Sequence, residues 1–376
     1  MAKRLIQSIH QIFVFAVLCI PLLSGAAGNA IVIGQTLDLS GPNAEIGRDY
    51  AAGIKTCFDM VNARGGINGK AIQYLVRDDA GQAANAARAT TELIEREQVD
   101  YLFGGVGDET MQATLETAAF KRSDLILFAP LIGADKPDQA RVLFWRPGYK
   151  DEIRHIFSHF GKLGMKSVGI AYQETPGNRD AYRSLADEVR IQGIKLTATA
   201  RIGKHAGTVN DEARQLAGSR PGFVIVIGDT ISSSLFLKEF RKYDSQTFIA
   251  GTSLINLATL RELAGAKAVE WTVFSQVVPD PASGASALQI EHLNMMKKYR
   301  DESASALTLE GFAAAKTLVK AIQLAKRSDR MALQEWSTQT TRIDLGGLSV
   351  TKLKGNPHLS SYLDIALFKK GGGLKF

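Results

Sequence analysis

"LDLSGPNAEIGRDYAAGIKTCFDMVNARGGINGK", running from Leu37 to Lys70, places a polar turn, an amphipathic helix and a double glycine one directly after another. Ile54, Cys57, Phe58 and Val61 fall at helical spacing within it, so Cys57 reads as a core residue and not a reactive thiol. The stretch "ARGGINGK" comes after the periodic segment, and its glycines read as a helix stop and a turn into the next strand. Upstream lies the strand-like "AIVIGQTLDL", and downstream "AIQYLVRD". Strand, polar turn, helix from Arg48 to Asn62, and strand again make a βαβ unit, which implies a parallel sheet covered by helices.

The same alternation runs outward along the chain. The helix Ala83 to Arg96 follows, then the strand "VDYLFGG", a helix around Met111 to Phe120, and the strand "LILFAPL". After "LFWRPGY" the pattern restarts: "SVGIAYQ" precedes a helix Asp180 to Gln192, "IKLTATARI" precedes Asn210 to Ala217, and "GFVIVIG" precedes Ser232 to Tyr243. "TFIAG", a short helix near Leu257 to Leu263 and "VEWTVFSQVV" complete the second series. Two successive series predict an α/β protein of two similar lobes with mainly parallel sheets. The helices Ala285 to Tyr299 and Ala304 to Ala325 follow with no strand between them, and "YLDIALF" is one last strand. Such late elements pack back onto an existing lobe, so the chain is expected to cross between lobes more than once.

At 376 residues, 45% hydrophobic and 22% charged, the chain is long enough for two domains of usual size. Lys3 and Arg4 precede an uncharged apolar run, Ile12 to Leu23, that ends in "SGAAGNA". That is the layout of a secretory signal peptide, residues 1–30, with cleavage near Ala27 or Ala30; an uncleaved N-terminal anchor is the alternative. The run is shorter than the ~20 residues of a membrane-spanning helix. Cys19 sits inside it and follows Leu18, where a lipidation signal wants a small residue, so lipidation is not expected. Loss of Lys3 and Arg4 lowers the formal charge from +7 to +5, and the remaining Lys and Arg residues are spread out without a dense run or aromatic interleaving. This argues against nucleic acid as a partner. With the signal removed only Cys57 remains, so no internal disulfide can form.

In an open parallel sheet, ligands sit beyond the carboxyl ends of the strands, where loops and helix N-termini present free backbone N–H groups. The loops to inspect are "SGPNAEIG", "GGVGDET", "APLIGAD", "YQETPGN", "GDTISS" and "GTSLIN". They offer small and polar residues but no common catalytic grouping. "SGPNAEIG" lacks the GxGxxG spacing of a dinucleotide site, and neither GxxxxGK[ST] nor GxSxG occurs, so no cofactor is expected. Asp151, His155 and His159 lie four apart and make a possible metal edge on one helix face. Ile156 stands where HExxH needs its glutamate, and a solvated face is the favoured reading, so no metal is expected. Asp108 and Glu109 suit a cationic ligand, while Asp108 suits an N-cap of the following helix equally well. Asp229 before Thr230 carries the same ambiguity, and Glu174 suits a solvated loop. Tyr149 and Trp145 are candidates for stacking on a ligand or plugging the lobe junction; for Trp145 the core is favoured.

The segments "LDLSGPNAEIG", "FDMVNARGGINGK", "YLVRDDAGQAANAARATTELI", "LILFAPLIGA", "FWRPGYKDE" and "DLGGLSVTKLKGNPHLSSYLDIALF" resemble, in order over nearly all of the mature chain, the branched-chain amino acid family of periplasmic solute-binding proteins, type I fold. The resemblance implies two Rossmann-like lobes joined by three hinge strands, a ligand held in the cleft, and a closed form recognised by an inner-membrane ABC permease. It implies a first lobe of residues 31–146 plus 276–344, a second of 147–275 plus 345–376, and a monomer in the periplasm. Leucine-type relatives carry a serine where this chain has Glu109 beside Thr110, and a small-residue and threonine pair where it has Ile132 and Gly133. An aromatic near the first turn is replaced by Ile46, the second lobe's tyrosine falls near Gly177, and the acid that meets an α-ammonium falls near Thr252. These departures alter the grip on an α-carboxylate, which Glu109 would repel unless protonated or paired, as with Arg48. The expected ligand is small, polar, and neutral or partly cationic, held by Asn43, Thr110, Tyr149, Gln173, Asp229 and Thr252, with Glu45, Ile46, Asp108, Glu109, Ile132, Gly133, Glu174 and Thr230 nearby.

A sensor that reports occupancy to a membrane signalling receptor would have the same sequence features and differ only in partner. An exported enzyme on a Rossmann-like scaffold would need a nucleophile, an acid–base pair or a cofactor loop, and none stands out. A sugar-repressor relative would need a basic helix-turn-helix where this chain has its signal.

Overall fold

The structure, a computed structural model, describes residues 30–133, 141–203 and 206–376. Residues 1–29 of the expected signal segment, with Cys19, and residues 134–140 at the end of "APLIGAD" lie outside them. The first series is β1 (Ile31–Leu37), α1 (Ala44–Ala63), β2 (Ile72–Asp78), α2 (Ala83–Glu95), β3 (Tyr101–Phe103), α3 (Asp108–Glu116), α4 (Ala118–Arg122), β4 (Leu127–Phe128) and β5 (Val142–Leu143). These five strands form a parallel sheet in the order β2-β1-β3-β4-β5, with Ile31 opposite Ile72 and Leu37 opposite Asp78. Side chains on β1 alternate between faces: Ile31 and Ile33 enter one core, while Val32 packs against the other.

The second series is α5 (Tyr149–Lys162), β6 (Ser167–Gln173), α6 (Pro176–Ile191), β7 (Lys195–Ile202), α7 (Ala206–Gly218), β8 (Phe223–Ile227), α8 (Thr230–Phe240), β9 (Phe248–Gly251), α9 (Leu257–Ala264) and β10 (Thr272–Gln276). Along β8, Val224 and Val226 enter one core and Phe223, Ile225 and Ile227 the other, so this strand is buried on both faces. After β10 come α10 (Ala287–Tyr299), α11 (Ala306–Leu324), α12 (Met331–Thr338) and the hairpin β11 (Thr341–Asp344) and β12 (Ser349–Lys352). Leu288, Phe312, Trp336, Ile343 and Val350 join the core beneath the first sheet. The chain then returns as β13 (Asp364–Phe368), antiparallel to β10, and β14 (Leu374–Lys375), giving a seven-stranded sheet β14-β13-β10-β9-β8-β6-β7. The expected α/β fold of two lobes with mainly parallel sheets is the fold observed, and the late helices do return to the first lobe.

The helix of the opening stretch lies against α11 at a very close approach. A Cβ on Gly53 would stand 2.0 Å from the Thr308 carbonyl oxygen, and one on Gly311 2.2 Å from that of Tyr50. The double glycine ends the helix as expected: Gly65 and Gly66 have φ of +96° and +77°, and their N–H groups donate to Asn62 O and Val61 O, each at 3.0 Å. Cys57 is fully buried, and burial raises its thiol far above the ordinary value, so it is an inert core residue.

The structure departs from the expected elements in several places; α6 and α7, for instance, each begin four residues before the expected Asp180 and Asn210. The single helix around Met111 to Phe120 is two, because Thr117 leaves helical geometry and its hydroxyl accepts Phe120 N at 3.1 Å to cap a new turn. The helix of the opening stretch begins at Ala44, four residues before Arg48. The short α12 and the hairpin β11–β12 were not expected as elements.

Candidate functional site

The loops that follow the parallel strands of both sheets meet around a cavity of about 290 Å³. The first sheet contributes Pro42, Asn43 and Ile46 after β1, Gly81 after β2, Val106 to Thr110 after β3, and Leu131 and Ile132 after β4. The second contributes Tyr149 at the head of α5, Gln173, Thr175 and Asn178 around the start of α6, Gly228 and Asp229 after β8, and Leu254 after β9. The cleft therefore lies where the open-sheet rule puts it.

Its turn "SGPN" is held by carboxylates from below. Buried Asp38 accepts Gly41 N at 2.6 Å and Asn43 N at 2.9 Å, and Asp78 accepts Leu39 N at 2.9 Å and Ser40 Oγ at 2.6 Å. Asp79 accepts Gly81 N at 2.9 Å; burial, with the charges of Asp38 and Asp78 beside it, pushes it up to about 6.

Opposite that turn, α3 begins at Asp108 behind Gly107, whose φ of +94° suits glycine and which has no side chain to cap the helix. Asp108 is thus in the first turn and is not the N-cap. Thr110 Oγ1 donates to Val106 O at 2.7 Å, which leaves its lone pairs to accept from a ligand N–H. The α3 N-terminus presents backbone donors beside that acceptor. Across the cleft, Gln173 and Asp229 are joined twice: Nε2 donates to Asp229 Oδ2 and Oε1 accepts Asp229 N, both at 2.9 Å. Asp229 also accepts Ser232 N at 2.7 Å, so it caps α8 and borders the cleft at once. The Tyr149 ring lies flat on the chain at Gly133, where a Cβ would come within 2.3 Å of it, and Tyr149 N donates to Gly133 O at 2.5 Å.

Beneath the cleft sits a buried charge cluster that the sequence reading missed. Arg146, 1% exposed, follows β5 and donates through Nη2 to Ser253 Oγ. It lies 4.0 Å from the Glu152 carboxylate on α5 and 3.6 Å from Glu310 on α11. Glu152 accepts Ser253 N at 2.7 Å and Ser275 Oγ at 2.5 Å. Burial, aided by Glu152 and opposed by Arg146, raises Glu310 to about 7. One arginine between two buried acids thus ties elements of both lobes together. Only "FWRPGYKDE" hinted at it, because its partners are far away in sequence.

The structure brings Asn43, Ile46, Asp108, Glu109, Thr110, Ile132, Tyr149, Gln173 and Asp229 to the cavity. Glu45, Gly133, Glu174, Thr230 and Thr252 do not border it. Glu45 Oε1 is buried without a hydrogen-bond partner among the described residues. Glu174 is a largely exposed loop acid 3.9 Å from Arg201. Thr230 is fully buried and its hydroxyl accepts Asn256 N at 3.2 Å, and Thr252 is 4% exposed. Arg48 donates to Leu39 O at 3.0 Å, with no ion pair to Glu109 among the described residues. Trp145 is core, its Nε1 donating to Thr317 Oγ1 at 3.0 Å. His155 and His159 lie on α5, and no group of three metal-binding side chains occurs among the described residues. Gly81, after β2, lines the cavity from outside the loops singled out in the sequence, and Leu254 lines it from "GTSLIN".

A family model described as periplasmic binding protein matches residues 30–372. The "Leu/Ile/Val-binding protein homolog 1" of Brucella melitensis biotype 1 is 23% identical over 371 residues, 94% of each chain. Among solved structures, an extracellular ligand-binding receptor from Verminephrobacter eiseniae superposes with a TM-score of 0.85 at 23% identity, covering 92% of this chain and 100% of that one. The branched-chain amino acid transporter substrate binding protein LivJ from Streptococcus pneumoniae, in complex with isoleucine, gives 0.80 at 18% identity, covering 92% and 98%. These relatives are named as binding proteins and receptors, not as enzymes.

Proposed function

The chain belongs to the periplasmic binding protein family, and from that premise we propose that it is the extracytoplasmic receptor of an ABC importer, capturing a small polar metabolite in the interlobe cleft by hinge closure. One observation carries the reading: the cleft is lined from the strand ends of both sheets, so a ligand there gains contacts to both lobes only when they approach. The ligand is an amino acid, an amide or a related compound that is neutral or partly cationic. Thr110 accepts an N–H from it, the first turn of α3 donates to its carbonyl oxygen, and Asp229 and Glu109 face its positive end. Tyr149 and the apolar Ile46, Leu131, Ile132 and Leu254 cover its body.

The proposal includes export to the periplasm with a signal peptide cleaved near Ala27 or Ala30, a monomeric state, and an inner-membrane permease as partner. It also includes lobes of 31–146 plus 276–344 and 147–275 plus 345–376. The packing of Val350 and Leu359 into the first core supports moving the third crossing towards residue 360.

The test is a thermal-shift and calorimetric screen of the mature chain against amino acids, amides, polyamines and aromatic acids. The expected result is saturable binding by one class. Replacement of Glu109 by glutamine should change that ligand's affinity and its pH profile; an unchanged profile removes Glu109 from the recognition.

A further inference from the structure

A second cavity, of about 390 Å³, lies between the N-termini of α9 and α11. Its apolar wall is made by Ile255 and Leu257 at the start of α9, Pro281 after β10, Leu307 on α11, and Phe368 and Leu374 on the last two strands. Leu307 belongs to the core of the first lobe, and Ile255 and Phe368 to a core of the second, so the cavity is walled from both. It is separate from the ligand cleft and shares no lining residue with it.

The polar side chains at its inner end are already committed. Ser253 Oγ accepts from Arg146. Asn256 accepts Ala258 N and Thr259 N, both at 3.1 Å, and donates to Asp49 at 3.3 Å. Ser305 Oγ donates to Asp49 at 2.7 Å and accepts Thr308 N at 3.1 Å. Both helix N-termini are therefore capped, and an occupant is asked chiefly for apolar surface. At the rim the charged side chains are Asp280 and Arg261. Asp280 is engaged in its own loop, where it accepts Ala282 N at 2.9 Å. Arg261 is exposed and makes no ion pair or side-chain hydrogen bond among the described residues.

We propose that this cavity is a second binding site, for a small anionic amphiphile: a hydrocarbon body held by the apolar wall and a carboxylate held by Arg261. Because both lobes wall it, occupancy stabilises the lobe arrangement seen here. The inference does not rest on the identity of the cleft ligand.

The experiment is calorimetric titration of the full mature chain with octanoate, octanol and octylamine. Ala258→Trp and Ala282→Trp place bulk at exposed lining positions, so the fold is spared, and circular dichroism checks that it is. Octanoate is expected to bind saturably and more tightly than octylamine, and each tryptophan variant should weaken it by about tenfold or more. Arg261→Gln should weaken octanoate by about threefold and leave octanol unchanged. Absence of saturable octanoate binding, indifference to both tryptophan variants, or octylamine binding as tightly as octanoate would overturn the proposal. Failure here leaves the cleft screen unaffected, and the converse also holds.

Discussion

Replacing Glu310 by glutamine should change how the stability of the protein depends on pH. Glu310 is 2% exposed, and burial raises it from 4.5 to about 7. Between those values the folded chain holds a proton that the unfolded chain has released. Stability contributed by this group is therefore present below pH 4.5 and lost as the pH rises towards 7 and beyond. At about 1.4 kcal/mol per pKa unit the loss is about 3 kcal/mol. Glutamine keeps the shape of the neutral acid and cannot ionise, so the variant lacks this decline. Urea denaturation at a series of pH values between 4 and 8 measures it, with the midpoint and slope fitted at each pH. Measured against the wild type, Glu310→Gln should gain about 3 kcal/mol between pH 4.5 and pH 8. Parallel stability curves would refute the reasoning and mean that Arg146 holds Glu310 ionised throughout.

His292 supplies a trend of the opposite sign. It is fully buried, with Nε2 3.0 Å from Thr308 Oγ1, and burial lowers it to about 4. The unfolded chain takes up the proton first, so stability falls by about 3 kcal/mol as the pH drops from 6.5 to 4, and His292→Gln should abolish that fall in the same titration. Because Glu310 and His292 oppose one another between pH 4.5 and 6.5, each single variant should show a steeper or reversed slope where the wild type is flattened. Gly311→Ala should cost about 3 kcal/mol or more, since its Cβ would meet the Tyr50 carbonyl oxygen at 2.2 Å and α1 must move away from α11; the melting temperature reads this directly.

Elements whose signal is local were legible in the sequence. The alternating faces of β1, the alanine-rich α2 and the run "GFVIVIG" need only period and composition to be recognised. The two-residue strands β4 and β5 are set by pairing with distant neighbours, and α12 is an eight-residue helix tucked against α11, so neither stands out as a long periodic segment. In the cleft, the loops after the parallel strands were legible because the open-sheet rule names them. Which side chain turns inward was not: Glu45 and Ile46 are neighbours on α1, yet only Ile46 borders the cavity. The Arg146 cluster escaped because Ser253 and Glu310 are brought to it by separate crossings of the chain.

The central claim is that a small solute occupies the cleft between the lobes. Native mass spectrometry tests it on residues 31–376 purified gently from cells, beside the same sample after denaturation and refolding, and beside a Gly133→Val variant, whose new side chain would overlap the Tyr149 ring that borders the cleft. The account predicts a small adduct on the gently purified chain that is absent after refolding and absent from the variant. An adduct carried equally by the variant, or a chain that binds no small solute in the subsequent screen, would contradict it.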